Sequence, residues 1–139
     1  GLAPVSLRAL DEIDVGSCDG MRYDDVAREL PDEYQARKRD KLRYRYPRGE
    51  SYLDVISRIE PLVIELERDD EPLLVVGHQA ALRVLYGYLA GHPAEACPHL
   101  EVPLHQLIEL RPTPQGHAES RMVLGPDVTP TVDEHAKMG

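Results

Sequence analysis

Residues 73–83 read LLVVGHQAALR. The apolar, partly β-branched run set between Pro72 and Gly77 predicts a strand over 72–78, covered on both faces as in a parallel sheet. The following AALRVLYGYLAG predicts a buried helix ending at Gly91. His78 and Gln79 fall where that strand meets that helix, and open α/β sheets bind ligands outside the carboxyl ends of their strands. Gly77 leaves room for close backbone approach, and Arg83, about one turn into the helix, faces the same crevice. An imidazole, an amide and a guanidinium at one strand end make a cluster suited to an oxyanion. A capped core histidine beside a solvated arginine is the competing, purely structural reading.

Working outward, a long helix is predicted from Ser51. Ser51 and Asp54 approximate a capping box, and apolar residues at 52, 55, 56, 59, 62, 63 and 66 form one face at the helical period. Pro61 is expected to kink it, and the acidic run before Pro72 to end it. VSLRAL (5–10) and HQLIEL (105–110) read as two further strands, YDDVAREL (23–30) and PDEYQARKRDK (31–41) as helices, and RYRYPRG (43–49) as a loop or an edge strand. Strands alternating with helices indicate an α/β layered sheet. Three strands fall short of the usual ~5–6, and the pattern opens without a helix before its first strand. The expectation is therefore a sheet whose N-terminal portion lies outside this chain. Residues 1–124 form one domain in this reading, and 125–139 a loosely ordered tail.

The net charge of −9 argues against a nucleic-acid or anionic-membrane surface, and no run reaches the ~18 apolar residues of a membrane span. Two cysteines without a CxxC motif fit a reduced, cytoplasmic compartment. Within this acidic chain, RKRDKLRYRYPR (37–48) concentrates seven of sixteen Lys and Arg against the single acid Asp40. Arg37 and Lys41, four apart on a predicted helix, share a face and repel unless an anion lies between them. Lys38 and Arg39 read as surface charges. The turn LDEID (10–14) offers Asp11, Glu12 and Asp14, any of which is a candidate acid or base, and spacing does not choose among them. No metal-ligand spacing and no GxxxxGK[ST] loop occurs, so no cofactor is expected. The residues alone point to a small phosphorylated or carboxylated ligand, with hydrolase, mutase and binding protein all open.

LDEIDVGSCDGMRYDDV, ARKRDKLRYRYPRGESYLDVISRIEPLVIELER and VVGHQAALRVL together resemble the bisphosphatase domain of 6-phosphofructo-2-kinase/fructose-2,6-bisphosphatases. That domain is a branch of the histidine phosphatase superfamily, which also contains the phosphoglycerate mutases. The likeness runs from about residue 7 to residue 115 and implies a three-layer αβα phosphoglycerate mutase-like fold. It implies hydrolysis of the 2-phosphate of fructose 2,6-bisphosphate to fructose 6-phosphate through a phosphohistidine. Glu12 matches the residue that protonates the leaving sugar oxygen and later activates water, and His78 the second histidine, which stabilises the transferring phosphoryl group. Tyr23, Arg37, Lys41, Tyr52, Gln79 and Arg83 match the residues that hold the sugar and its 6-phosphate. Asp11 and Asp14 fall back to structural or electrostatic roles. A kinase domain on the same parent chain is the implied partner, and a homodimer stays open.

The attacking histidine of the family sits in an Arg-His-Gly motif, and no such triplet occurs in the 139 residues. The expectation is a parent protein that carries it. Two alternatives stand beside this one: another histidine phosphatase or mutase-like enzyme, and a sugar-phosphate-binding domain without turnover.

Overall fold

A computed structural model describes residues 3–68 and 71–125 of the chain. The tail expected from 125 onward lies, apart from Gly125, outside the described residues, as do Asp69 and Asp70 of the acidic run.

Four helices carry the core. α1 (Tyr23–Glu29) and α2 (Pro31–Arg39) are separated only by Leu30. Acids fill the first turn of each, Pro31 opens α2, and Arg37, Lys38 and Arg39 close it, which suits the helix dipole. α2 stops at Arg39 rather than Lys41, because Asp40 leaves helical geometry and accepts from the backbone N–H of Arg43 (3.1 Å).

α3 (Tyr52–Leu66) forms as its spacing predicts. Ser51 Oγ accepts from the Asp54 N–H, and Asp54 Oδ2 accepts from both the Ser51 N–H (2.7 Å) and hydroxyl (2.6 Å). Tyr52, Val55, Ile59, Leu62 and Val63 are its buried face. Pro61 lies on the exposed side, and the helix continues through it with one backbone hydrogen bond fewer. α4 (Gln79–Leu89) buries Ala80, Ala81, Val84, Leu85 and Gly87 and packs against α3 and the 3₁₀ turn Ala94–His99. Gly87 permits the second contact: a Cβ there would lie 2.6 Å from Cys97 Sγ and 3.0 Å from Leu100 Cδ1.

The strands depart from expectation. Among the described residues the sheet is a two-stranded antiparallel hairpin, β1 (Gln106–Thr113) and β2 (Gly116–Val123), in register Gln106↔Val123 through Thr113↔Gly116. β1 agrees with the reading of HQLIEL; β2 had no expectation attached. Residues 5–10 end in a 3₁₀ turn, Arg8–Leu10, and 72–78 runs without ladder partners. A strand is made by its ladder partners, and among the described residues none pairs with this one. Instead of being covered on both faces, Leu73, Leu74 and Val76 are 61%, 64% and 82% exposed. RYRYP forms turns and not an edge strand, with Arg43 drawn to Asp40 and Arg45 to Asp54 (2.7 Å). Among the described residues no helix is long and apolar enough to cross a membrane.

Candidate active site

The turn that carries Glu12 is held from two sides. Loops 14–17 and 47–50 cross with their backbones touching: Ser17 donates to Pro47 O (2.9 Å) and Glu50 to Asp14 O (2.7 Å). Gly16, at φ +52°, has no room for a Cβ against the Pro47 carbonyl, so only glycine meets both demands. From α3, the half-buried Arg58 donates to the carbonyls of Ala9, Asp11 (2.7 Å) and Glu12 (3.3 Å). Its Nε meets Glu50 Oε1 at 3.0 Å, and Glu50 Oε2 accepts from the Asp14 N–H (3.0 Å).

So fixed, Glu12 extends to the start of α4. Its Oε1 accepts from the N–H groups of Ala80 (3.0 Å) and Ile13 (2.9 Å). The first N–H groups of a helix have no partner within it, and this carboxylate takes one of them. His78 occupies the position just before α4 and Gln79 its first residue; both are exposed, open at the same helix end as Glu12. Of the other two acids, Asp14 caps its own turn by accepting from the Gly16 N–H (2.8 Å), and Asp11 is exposed.

The remaining residues converge from three directions. Arg37, buried on α2, donates through Nε to Tyr46 Oη (2.6 Å), with its guanidinium 4.7 Å from the Tyr23 ring centre. Arg83 on α4 donates to Leu100 O (2.9 Å) and to Tyr52 Oη (3.3 Å). Lys41 donates to Pro98 O (3.1 Å) and stands 5.5 Å from the centre of the Tyr52 ring. Burial, then the nearby Arg37 and Arg83 charges, lower the Lys41 pKa from the usual 10.5 to about 7, with Glu12 opposing them. Three cations and one carboxylate thus sense one another, as a pocket for an anion requires. Burial likewise raises the Tyr46 and Tyr52 hydroxyls, Arg37 and Arg83 pulling each back.

A cleft of about 310 Å³ opens here, lined by Tyr23, Tyr34, Arg37, Lys38, Lys41 and His99. Glu12, Tyr23, Arg37, Lys41, Tyr52 and Arg83 are therefore brought into one neighbourhood, with His78 and Gln79 at its α4 end. Lys41 reaches the cleft from a turn, not from the helix face expected of it. Lys38, exposed as expected, also lines the cleft. Tyr34, Arg58 and His99 were not anticipated. Tyr34 stacks edge-on against Tyr23 (6.1 Å). Nothing local marks Arg58 or His99. Among the described residues no group of three or more His, Cys, Asp or Glu is placed to hold a metal ion.

Residues 1–124 match the family model "Histidine phosphatase superfamily (branch 1)". The chain belongs to the histidine phosphatase superfamily. Within it, the chain is 55% identical over 124 residues to an Arabidopsis thaliana 6-phosphofructo-2-kinase/fructose-2,6-bisphosphatase, covering 89% of this chain and 17% of that protein. It is 49% identical over 109 residues to the Saccharomyces cerevisiae fructose-2,6-bisphosphatase, covering 78% of this chain and 24% of the relative. It therefore spans about a fifth of the length of these curated relatives. A solved structure of a putative α-ribazole-5′-P phosphatase from Escherichia coli superimposes with a TM-score of 0.73 at 23% identity, over 87% of this chain and 62% of the other. That likeness shows the fold: the α/β class read from the sequence stands, although the described residues hold only the small antiparallel sheet.

Proposed function

We propose that this chain supplies the sugar-phosphate pocket and the acid–base carboxylate of a fructose-2,6-bisphosphatase. The observation that carries the reading is the clustering of Arg37 and Lys41, which line one cleft, with Arg83 and Glu12 close enough to act on the Lys41 charge, at 55% identity to a bifunctional relative. Arg37 and Lys41, with the Tyr23 hydroxyl, take the 6-phosphate. Arg83 and Tyr52, already bonded to each other, and Gln79 at the start of α4 orient the sugar. The 2-phosphate then lies toward His78, which stabilises the phosphoryl group in flight, where positioning and charge do most of the work. Glu12 gives its proton to the departing sugar oxygen and afterwards takes one from the attacking water. The phosphoryl acceptor is a histidine of an Arg-His-Gly segment in a longer parent protein, joined to a kinase domain and working in the cytoplasm; a homodimer fits the same reading.

The 139-residue chain should accordingly bind fructose 6-phosphate and leave the 2-phosphate intact. Calorimetry against fructose 6-phosphate and 3-phosphoglycerate tests the substrate class; preference for the latter would overturn it. Incubation with fructose 2,6-bisphosphate labelled in the 2-phosphate should leave no label on this chain. In the parent protein, Glu12→Gln should lower kcat by at least about a hundredfold, the usual scale of general acid–base catalysis.

A further inference from the structure

The cleft has a wall that the proposed ligand set does not use. His99 closes the 3₁₀ turn Ala94–His99, which Gly87 lets seat on α4. Its neighbours on either side are already part of the site: the Pro98 carbonyl accepts from Lys41 and the Leu100 carbonyl from Arg83. The backbone at 98 and 100 is thus tied to two of the site's cations, and the side chain between them lines the cleft. We propose that His99 is a proton-dependent ligand of the anion held by Arg37 and Lys41, taking up a proton from solvent as a phosphate-class dianion binds.

The groups that face His99 decide the direction of this linkage. Lys38, Lys41 and Arg37 come from α2 and the turn after it, Arg83 from α4, and Tyr23 and Tyr34 complete the wall. Among the described residues no carboxylate lines the cleft, and the one acid within the His99 turn, Glu95, points to Arg43 (3.7 Å). Among the protein's own charges the ring is therefore disfavoured as a cation: partial burial, then Lys41, Arg83 and Arg37, lower its pKa. A bound dianion inverts that balance, because it neutralises the same cations and offers oxygens to both ring nitrogens. The neutral imidazole lets the crowded cleft exist without ligand, and the imidazolium adds a donor once the ligand arrives.

This inference rests on the proposed anion site, and the test separates the two. Sulfate is the probe, since it stays a dianion across the range in which phosphate itself titrates. The His99 Cε1 proton is followed by NMR as a function of pH in the full chain, with and without saturating sulfate, alongside the Tyr23 and Tyr34 ring signals. The expected result is a rise of the His99 pKa by about half a unit or more on sulfate binding, while the tyrosine signals move. In His99→Gln, sulfate affinity should fall about two- to threefold near pH 6 and stay essentially unchanged near pH 8. Lys41 gives sulfate binding a pH dependence of its own, so the comparison is with the parent chain at each pH. If the tyrosine signals move and the His99 titration does not, His99 is no ligand and the anion site stands without it. If sulfate moves none of these signals, the anion site and this inference fall together.

Discussion

Lys41→Met should make the protein more stable at neutral pH and less able to bind an anion. The Lys41 pKa falls from the usual 10.5 to about 7 because burial and two guanidinium groups oppose its charge. Between these values the unfolded chain binds more protons than the folded one, so stability rises with pH across that window and the penalty is greatest below it. A drop of this size corresponds to roughly 5 kcal/mol near pH 7, at about 1.4 kcal/mol per unit. That is an upper limit. Water reaches the cleft, and the ammonium keeps its bond to Pro98 O at 3.1 Å and its place over the Tyr52 ring, so about 2 kcal/mol is the working figure. The unbranched thioether fills the same channel without the charge. With m near 2 kcal/mol/M, the urea midpoint should move up by about 1 M at about pH 7 and by roughly half as much at about pH 9. The assay is urea titration of dilute protein by far-ultraviolet circular dichroism at both pH values. Other titrating groups are common to the two proteins and cancel in the difference. Sulfate or fructose 6-phosphate binding should be lost in parallel. Lower stability of the variant at both pH values, with a parent stability that stays flat between them, would refute the reasoning.

Three further outcomes follow from other contacts. Arg58→Met should cost about 2–4 kcal/mol, because it strips one turn of its clamp and leaves the partly buried Glu50 without its cation. Hydrogen exchange at the Ala80 amide should accelerate with it as Glu12 loosens; unchanged exchange would mean that the Glu12 turn holds itself. Gly87→Ala should be destabilising by about 1–3 kcal/mol despite better helix propensity. Adding Cys97→Ala should return at least about 1 kcal/mol of that in a double-mutant cycle, since Cys97 Sγ is the atom 2.6 Å from the new Cβ. The unladdered segment 72–78, with Leu74 and Val76 largely exposed, should drive self-association as concentration rises. Light scattering of the Leu74→Lys/Val76→Lys variant should report a monomer where the parent associates.

What could be read from the chain was what short-range physics writes into it. The Ser51–Asp54 cap and the apolar face of α3 interact within a turn or two, so sequence spacing specifies them almost completely. The same holds for Pro31 opening α2. The repulsion between Arg37 and Lys41 was legible too, but not its geometry, since Lys41 meets Arg37 from the turn after α2 and not along a shared helix face. The hairpin was half legible. β1 showed in QLIEL, whereas β2 is exposed along its whole length and lacks the apolar alternation that marks a half-buried strand; the turn residues Pro114 to Gly116 were its only signal.

The segment 72–78 shows the opposite limit. Its apolar composition predicts cover on both faces, yet a strand exists only where neighbours accept its hydrogen bonds, and the described residues provide none. The site divides along the same line. Residue types announced an anion-binding cluster around His78 and the basic island, and a family resemblance selected Glu12 from three acids. That Glu12 meets the free Ala80 N–H in the first turn of α4 depends on contacts 46 to 68 residues apart in sequence. The Arg58 clamp and the place of His99 on the cleft wall depend equally on where helices pack. Local patterns fix which groups are present and which helices form. Long-range packing fixes which of those groups share one desolvated space, and it is in that space that an ordinary lysine comes to titrate near neutrality.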